Sequence, residues 1–419
     1  MNNRRALMSW CLYDAANSAF PTVVTTFVFG AYYTQAIAKT PEEGAADWGL
    51  AVGLAAIAVA VAGPVLGAIA DQGGRQKPWL AGFTALCVAA TALLWFATPE
   101  PGSSIWALSF VALALFAFEL GMVFYNAMLP GLAPIAYLGR VSGWGWGCGY
   151  IGGLSCLALG LVGFVQTDTP WFGIPTNEAM HIRAVMILVA VWFAVLSLPL
   201  FLFTPDRPTP GHPFPVVVRA GLGQLIDTIR HARRYSGLGR YLLAHMIYAD
   251  GLNTLFTFGG IYAASEFGMK ITEVIQFAIA LNVTAGLGAL TFAWVDDRIG
   301  AKLIIVMSLM ALIIFGAGLL IVETTFWFWV FGMGLGVFVG PTQAASRSLM
   351  ARLAPPAMQT EMFGLYAMSG KATAFVGPIL VGWVTAASGS QRAGMATIIV
   401  FFVVGLLLLL PVKAPVRDP

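Results

Sequence analysis

The sequence predicts an all-α integral membrane protein built from two related six-helix halves. Three observations lead to this prediction. The mean hydropathy is +0.82 and only 10% of the 419 residues are charged, whereas soluble domains carry roughly a quarter charged residues. The chain contains about a dozen apolar stretches of the roughly 20 residues that cross a bilayer as a helix. One polar motif occurs once in each half of the chain.

The apolar stretches predict twelve spans with short loops. One long polar connection separates the sixth span from the seventh. The chain is therefore expected to divide into an N-terminal bundle at residues 1–203, a linker at 204–239 and a C-terminal bundle at 240–419. The predicted spans have their centres near Val23, Ala60, Ala89, Ala117, Ile151, Val191, Leu252, Val283, Leu312, Val339, Thr373 and Val400.

The linker opens rich in proline and becomes basic at Arg230, Arg233 and Arg234. Between these two parts, four apolar residues recur at i, i+3, i+4 and i+7, the spacing of one face of a helix. They are Leu222, Leu225, Ile226 and Ile229. This pattern predicts a short amphipathic helix that lies on the membrane surface.

The distribution of basic residues predicts the orientation. Most of the 22 Lys and Arg residues share one side when the N-terminus, the even-to-odd loops and the C-terminus are placed together. Lys371 falls within a predicted span, and the other side holds only Lys39, Arg183, Lys270 and Arg392. By the positive-inside rule, both termini and the linker are predicted to be cytoplasmic.

The repeated motif reads D-x-x-N-[ST]-x-F and occupies residues 14–20 and 250–256. At helical spacing Asp14 and Asn17 share one face, as do Asp250 and Asn253 in the second copy. A polar stripe on a helix that crosses lipid cannot face lipid, so each stripe is expected to line an interior. Two such stripes predict a duplicated protein with an internal path.

A second pattern, G-x-x-x-D-x-x-G-R-x-K, follows the second span, and part of it returns after the eighth span around Asp297. Its residues are Gly67, Asp71, Gly74, Arg75 and Lys77. A carboxylate at the C-terminal end of a helix is disfavoured by the helix dipole, so Asp71 needs a compensating partner. We expect this partner to be Arg75 or the N-terminal end of span eleven near Thr360. Parallel repeats of this kind are typical of transporters.

Glu119 lies close to the middle of the fourth predicted span and shares a face with Asn126. A charged side chain at that depth costs roughly 2.5–3.5 kcal/mol. Burial disfavours the charged form of a carboxyl, as a proton-coupling group requires. Two interpretations stay open: Glu119 couples protons or contacts substrate, or it pairs permanently with a basic residue and fastens helices together.

Asp14 and Asp250 are expected near the cytoplasmic ends of their spans, at a depth similar to Arg347 and Lys371. An ion-pair network there would close the cytoplasmic mouth in one state, and we favour this gate over direct binding of substrate or protons. The charge distribution also suits a zwitterion or a small organic anion. Aromatic side chains near the stripes, such as Tyr125, are expected to pack rather than to bind.

Nothing in the sequence indicates an enzyme. The cysteines and histidines have no metal-ligand spacing, no nucleophile and base are paired, and no cofactor is expected. Residues 147–152 match G-x-G-x-x-G, but they lie inside a span without a preceding strand. Gly145, Gly149 and Gly153 instead predict a close helix crossing.

Several motifs together resemble the major facilitator superfamily, within the branch of the fungal vacuolar effluxers and their bacterial relatives. They include residues 10–20, Tyr125-Asn126, 139–143, 346–349 and 369–371, together with the pattern after the second span. The resemblance implies two pseudo-symmetric bundles of six helices, with the pattern from Gly67 to Lys77 and Asp297 as a cytoplasmic latch. Around Asp297 the superfamily pattern is incomplete, since Ala293 and Ala301 stand where Gly and Arg are expected. This departure predicts a weaker second latch.

The function implied is secondary transport of a small, amino-acid-like solute by alternating access, coupled to protons. A multidrug, siderophore or lipid exporter is an alternative within the same fold, and a non-transporting receptor or scaffold is another. The expected setting is a monomer in the inner membrane of a bacterium. Its partners would be a small-molecule substrate, protons and the lipid bilayer, without nucleic acid.

Overall fold

The predicted all-α class is confirmed. The structure, a computed structural model, describes residues 4–209, 211–231 and 236–413, and within these ranges it contains helices and loops but no β-strand. Arg233 and Arg234 of the predicted basic linker lie outside the described residues.

The described part of the N-terminal half, from residue 4 onward, contains eight α-helices, of which two are single turns. They are α1 (Arg4–Asn17), α2 (Phe29–Tyr32), α3 (Pro41–Gly73), α4 (Lys77–Leu93), α5 (Ser104–Ala127), α6 (Leu129–Leu132), α7 (Leu138–Gly160) and α8 (Met180–Phe203). The first predicted span is irregular, because π-helical segments at Phe20–Phe27 and Tyr33–Ile37 flank α2. Pro21 lies in the first turn of the first π segment, where its missing N–H is tolerated.

Among the described residues, the linker contains one α-helix and the C-terminal half contains seven. The linker helix is α9 (Phe214–Arg230), followed by α10 (Ser236–Phe267), α11 (Ile271–Ile299), α12 (Ala301–Ile321), α13 (Thr325–Leu353), α14 (Gln359–Lys371), α15 (Val376–Ser388) and α16 (Gln391–Leu409). The eleventh span is discontinuous, since residues 372–375 form a turn between α14 and α15. The break lies just before Gly377-Pro378, where proline prevents a regular helix.

Ten helical stretches in the described part of the chain are long and apolar enough to cross a membrane. The two remaining predicted spans are the first, which is divided by its π segments, and the seventh, α10. Both contain a copy of the D-x-x-N-[ST]-x-F motif, whose polar residues lower their hydropathy. The residues that form the polar stripes therefore also explain why these two spans are less hydrophobic.

The two halves repeat a contact between the start of their third span and the end of their sixth. Lys77 Nζ donates to the carbonyl oxygen of Thr204 at 2.8 Å, and Lys302 Nζ donates to that of Leu410 at 2.6 Å. Both lysines thus bind carbonyls that a helix leaves free at its C-terminal end, where the dipole favours a cation.

A second repeated contact lies at the opposite ends of the same helices. Arg183 Nη1, near the start of the sixth span, donates to the Trp95 carbonyl at 3.1 Å. Arg392 Nη2, near the start of the twelfth, donates to the Val322 carbonyl at 3.2 Å. Because corresponding positions make the same two contacts in each half, the duplication seen in the sequence extends to tertiary structure.

Residue contacts group the chain into two compact units. The first contains Met1–Ala62, Gly74–Tyr125 and Cys148–Thr209, and the second contains Gly63–Gly73, Asn126–Gly147 and Pro210–Pro419. Two short segments of the N-terminal half therefore pack within the unit formed by the C-terminal half. These segments are the end of α3 and the connection from α5 to the start of α7.

The crossing of α11 and α13 generates a stability prediction. A Cβ added at Gly288 would overlap the carbonyl oxygen of Val337, so Gly288→Val must push two backbones apart. We expect a loss of about 1–3 kcal/mol in the free energy of unfolding, measured as a lower melting temperature in detergent. Gly382→Val is the matched control, because nothing lies within 4 Å of a Cβ there. Equal melting temperatures for the two variants would contradict this packing.

Candidate functional site

The candidate site begins with the carboxylate of Asp71 at the end of α3. Its Oδ1 accepts the backbone N–H of Thr360 at 3.0 Å, and its Oδ2 accepts that of Glu361 at 2.8 Å. Both N–H groups belong to the first turn of α14, which has no intrahelical acceptor for them and carries the positive end of the helix dipole. We call this arrangement the first carboxylate cap. Of the two partners expected for Asp71, the structure provides the helix end, while Arg75 is exposed.

Glycine makes the first cap possible. A Cβ on Gly67, one turn before Asp71, would lie 2.5 Å from the carbonyl oxygen of Thr360. Gly74 has a φ of 81°, a conformation that favours glycine, and it begins the turn from α3 into α4. After this turn, the N–H groups of Gln76 and Lys77 donate to the carboxylate of Asp206 at 2.9 and 3.3 Å.

A second carboxylate cap is formed by Asp297 at the end of α11. Its Oδ1 accepts the backbone N–H of Arg140 at 3.1 Å, and Arg140 Nε lies 3.2 Å from its Oδ2. Arg140 is in the first turn of α7, as Thr360 is in the first turn of α14. The eighth span thus contacts the start of the fifth as the second contacts the start of the eleventh.

In the second cap, a small residue on the facing helix takes the place of the glycine that the sequence pattern lacks. A Cβ on Gly143 of α7 would lie 2.5 Å from the Cβ of Ala293, so the small residue needed at the crossing is on α7. Asp296, which is buried, accepts from Arg352 Nη1 and from Ser348 Oγ, each at 2.6 Å. Its neighbour Asp297 also binds Arg140, so two carboxylates lie among two guanidinium groups.

Arg347 on α13 is buried and binds two segments from the N-terminal half. Its Nε donates to Ser142 Oγ at 2.9 Å and its Nη2 to the Ser142 carbonyl at 2.6 Å. Its Nη1 donates to Asn126 Oδ1 at 3.3 Å, and the guanidinium lies over the Trp146 ring at 5.6 Å. The planar, five-donor geometry of arginine is what allows one side chain to hold α5 and α7 together with α13.

Asp250 on α10 is 2% exposed and is bound by one donor. Its Oδ2 accepts the N–H of Gly377, in the first turn of α15, at 3.3 Å. Within the described residues its Oδ1 has no hydrogen-bond partner, and Asp250 forms no ion pair. A buried carboxylate with a single hydrogen bond is costly to keep charged. This carboxyl can therefore hold a proton or receive a partner that arrives during function.

The remaining predicted residues of the N-terminal half lie near α1 and α5. Asp14 and Asn17 are buried in α1, and Asn17 Nδ2 contacts Met122 Sδ at 3.2 Å. Glu119 is half-buried and lies one turn before Met122 on α5. Tyr125 is fully buried and bonds the Trp10 carbonyl through its hydroxyl at 2.9 Å, a packing role.

The predicted site residues of the C-terminal half differ in their exposure. Asn253 is exposed although it belongs to the same motif as the buried Asp250. Lys371 is half-buried at the end of α14, next to the break in the eleventh span. The structure therefore brings Asp250, but not Asn253, to the interrupted helix.

Sequence reasoning missed a polar aromatic cluster around His245. The His245 ring stacks on Tyr366 with centroids 4.0 Å apart, and its Nδ1 lies 2.7 Å from Ser369 Oγ. Nearby, the Tyr248 hydroxyl lies 2.7 Å from Ser346 Oγ. The available signal was that His245 is a histidine inside a predicted span.

Comparisons with known proteins agree with this architecture. The profile of a family described as "Vacuole effluxer Atg22 like" matches residues 49–416. An uncharacterized MFS-type transporter, YxiO, of Bacillus subtilis is 29% identical over 406 residues, covering 96% of this chain and 93% of YxiO. Autophagy-related protein 22-1 of Penicillium rubens is 24% identical, covering 67% of this chain but only 50% of the fungal protein.

A solved structure shows the same fold. The major facilitator superfamily transporter FucP, in an outward conformation, aligns with a TM-score of 0.75 at 13% sequence identity. The alignment covers 97% of both chains. At this identity the similarity establishes the major facilitator fold and does not extend to the solute.

The contacts of Arg347 predict the effect of a conservative change. Arg347→Lys keeps the charge but cannot bind Ser142 and Asn126 together, so at least one hydrogen bond from a charged donor is lost. We expect the free energy of unfolding to fall by about 2 kcal/mol, measured by thermal unfolding in detergent. Arg4→Lys, at an exposed position, is the control. A melting temperature unchanged by Arg347→Lys would refute this role.

Proposed function

Because this chain belongs to the vacuole effluxer Atg22-like family of the major facilitator superfamily, we propose that it moves a small organic solute across a membrane by alternating access, coupled to protons. The chain is a multi-pass membrane transporter by family. The solute, its coupling to protons and the residues involved are the proposal. The observation that supports it most is the pair of carboxylate caps, in which related helix ends make the same contact twice.

In this proposal the two caps are the cytoplasmic latch. Each joins a helix end of one sequence half to a helix start of the other, and both lie on the side that holds most of the basic residues. While Asp71 and Asp297 hold the first turns of α14 and α7, the cytoplasmic path is closed. Release of both caps would let the halves separate on that side. In this latch Gly67 would allow the close approach of α14, Gly74 would make the turn after α3, and Arg75 and Lys77 would follow in that turn.

Asp250 is our first candidate for proton coupling. It combines burial, a free carboxyl oxygen and contact with the N-terminal end of a broken helix, which together let protonation change its bonding to Gly377. Glu119 is the second candidate because it is a half-buried carboxyl in the middle of a span.

The proposed solute is amino-acid-like. The buried carboxyl of Asp250 on α10 can receive an ammonium group. The name of the matched family, a vacuole effluxer, also favours a small metabolite. A thermal-shift screen against amino acids, peptides, organic acids and amphiphiles would identify the solute; stabilisation by amphiphiles alone would favour the exporter alternative.

The proton-coupling role predicts separate effects on two transport assays. In proteoliposomes, Asp250→Asn should abolish solute uptake driven by a pH gradient while solute exchange without a gradient persists, because the amide keeps the shape but cannot release a proton. Glu119→Gln, measured in parallel, should act the same way if the mid-span carboxyl also couples. Gradient-driven uptake that survives in both variants would remove proton coupling from the proposal.

The latch role predicts a change in conformational populations. Asp71→Asn removes the charge from the first cap and should raise the open fraction, since a hydrogen bond to a charged group contributes about 1.5–3 kcal/mol. Spin labels at Ala136→Cys and Ala357→Cys, both exposed in the loops before α7 and α14, would measure the opening by pulsed electron resonance. Asp168→Asn, an exposed loop change, is the control. An unchanged distance distribution would count against the latch.

A further inference from the structure

The linker helix α9 packs directly on the end of α3 that carries Asp71. A Cβ on Gly221 would lie 2.7 Å from the Cα of Ile69 and 2.8 Å from its nitrogen, so the two backbones are in close contact. Val217, one turn before Gly221 on α9, lies beside Gly73, one turn after Ile69 on α3. The linker is therefore docked on the first carboxylate cap.

Gln224 on α9 connects both sides of this cap. Its Oε1 accepts from Gln72 Nε2 at 2.5 Å, and its Nε2 donates to Glu361 Oε2. Gln72 follows Asp71 on α3, and Glu361 is one of the two residues whose N–H groups bind Asp71. A single amide side chain thus spans the same two helix ends that the Asp71 carboxylate joins.

Glu361 receives a hydrogen bond from the Gln224 amide, and the Thr228 hydroxyl of α9 lies beside the same carboxyl. Glu361 is fully buried, and within the described residues its Oε1 has no hydrogen-bond partner. A buried carboxylate that loses a donor loses part of the solvation that the protein supplies. Removal of Gln224 from the cap is therefore unfavourable as long as the cap is closed.

A different face of α9 is apolar and exposed. Leu222, Ile226 and Ile229 are 41%, 49% and 65% exposed. At about 100° per residue, they form a stripe roughly a third of a turn from the docked face. Arg219 and Arg230 lie along the outer edge of this stripe and are exposed. An apolar stripe bordered by arginines fits the surface of a bilayer that contains anionic lipid.

We propose that α9 is a clamp that keeps the first carboxylate cap closed through Gln224, and that its apolar stripe and two arginines hold it on an anionic lipid surface. The only acidic residue on α9, Asp227, is exposed, lies about 60–80° around the helix from the two arginines, and pairs with His231 at 2.8 Å. Opening the cap requires Gln224 to release either Gln72 or Glu361. This inference rests on the proposed latch role of the cap.

The first experiment measures the open fraction with labels at residues 136 and 357 in full-length protein, in phosphatidylglycerol nanodiscs. Gln224→Leu removes the bridge at similar size, and we expect the open-to-closed ratio to rise on the order of tenfold. Gln224→Glu places another carboxyl against Glu361 and should open the cap at least as much. Gln166→Leu, exposed in a loop, is the matched control. Unchanged populations in both Gln224 variants overturn the clamp.

The second experiment locates α9 relative to the bilayer. Spin labels at Ile226→Cys and Ala220→Cys should differ, with residue 226 accessible to oxygen dissolved in lipid and residue 220 accessible to a water-soluble nickel complex. Arg219→Gln with Arg230→Gln should open the cap in phosphatidylglycerol nanodiscs but not in phosphatidylcholine nanodiscs. Equal water accessibility at both positions, or no dependence on lipid charge, overturns the lipid part.

Asp71→Asn separates the clamp from the latch. If Asp71→Asn opens the cap and the Gln224 variants do not, the clamp is wrong while the latch stands. If neither variant moves the labels, the latch itself is wrong and the clamp falls with it.

Discussion

The structure depends on one interaction, a carboxylate at the end of one helix that binds the free N–H groups at the start of another. Asp71 binds the first turn of α14, and Asp297 binds the first turn of α7. The first N–H groups of any helix lack acceptors, and the dipole there favours an anion. Each cap therefore satisfies two needs at once, because the same dipole disfavours a carboxylate at the end of its own helix. This complementarity explains why the contact occurs twice in a duplicated chain.

Much of the fold could be predicted from the sequence, because membrane-spanning helices are specified by composition along the chain. The hydropathy pattern predicts the spans, and the repeated D-x-x-N-[ST]-x-F motif predicts the duplication. The requirement that Asp71 be compensated pointed to Arg75 or the start of span eleven, and the structure shows the second. In each case the residues of one continuous segment of the chain were sufficient for the prediction.

Features that depend on which helices meet were harder to predict. The departure at Ala293 suggested a weaker second cap, yet the small residue at that crossing is Gly143 on the partner helix. The bridge made by Gln224 was also not visible, because the linker pattern identifies an apolar stripe but not the residue that docks. Asp250 and Asn253 share a predicted face, but of the two only Asp250 bonds to the broken helix. Residues on one face of a helix can have different neighbours.

The central claim is that the two carboxylate caps open together as one gate. Hydrogen–deuterium exchange of the amides of Arg140, Thr360 and Glu361 tests this claim directly, because these are the N–H groups that the caps protect. In a liposome-embedded Asp71→Asn variant, we expect faster exchange at Arg140 as well as at Thr360 and Glu361. Faster exchange confined to Thr360 and Glu361, with Arg140 unchanged, would show that the caps are independent and would contradict the account.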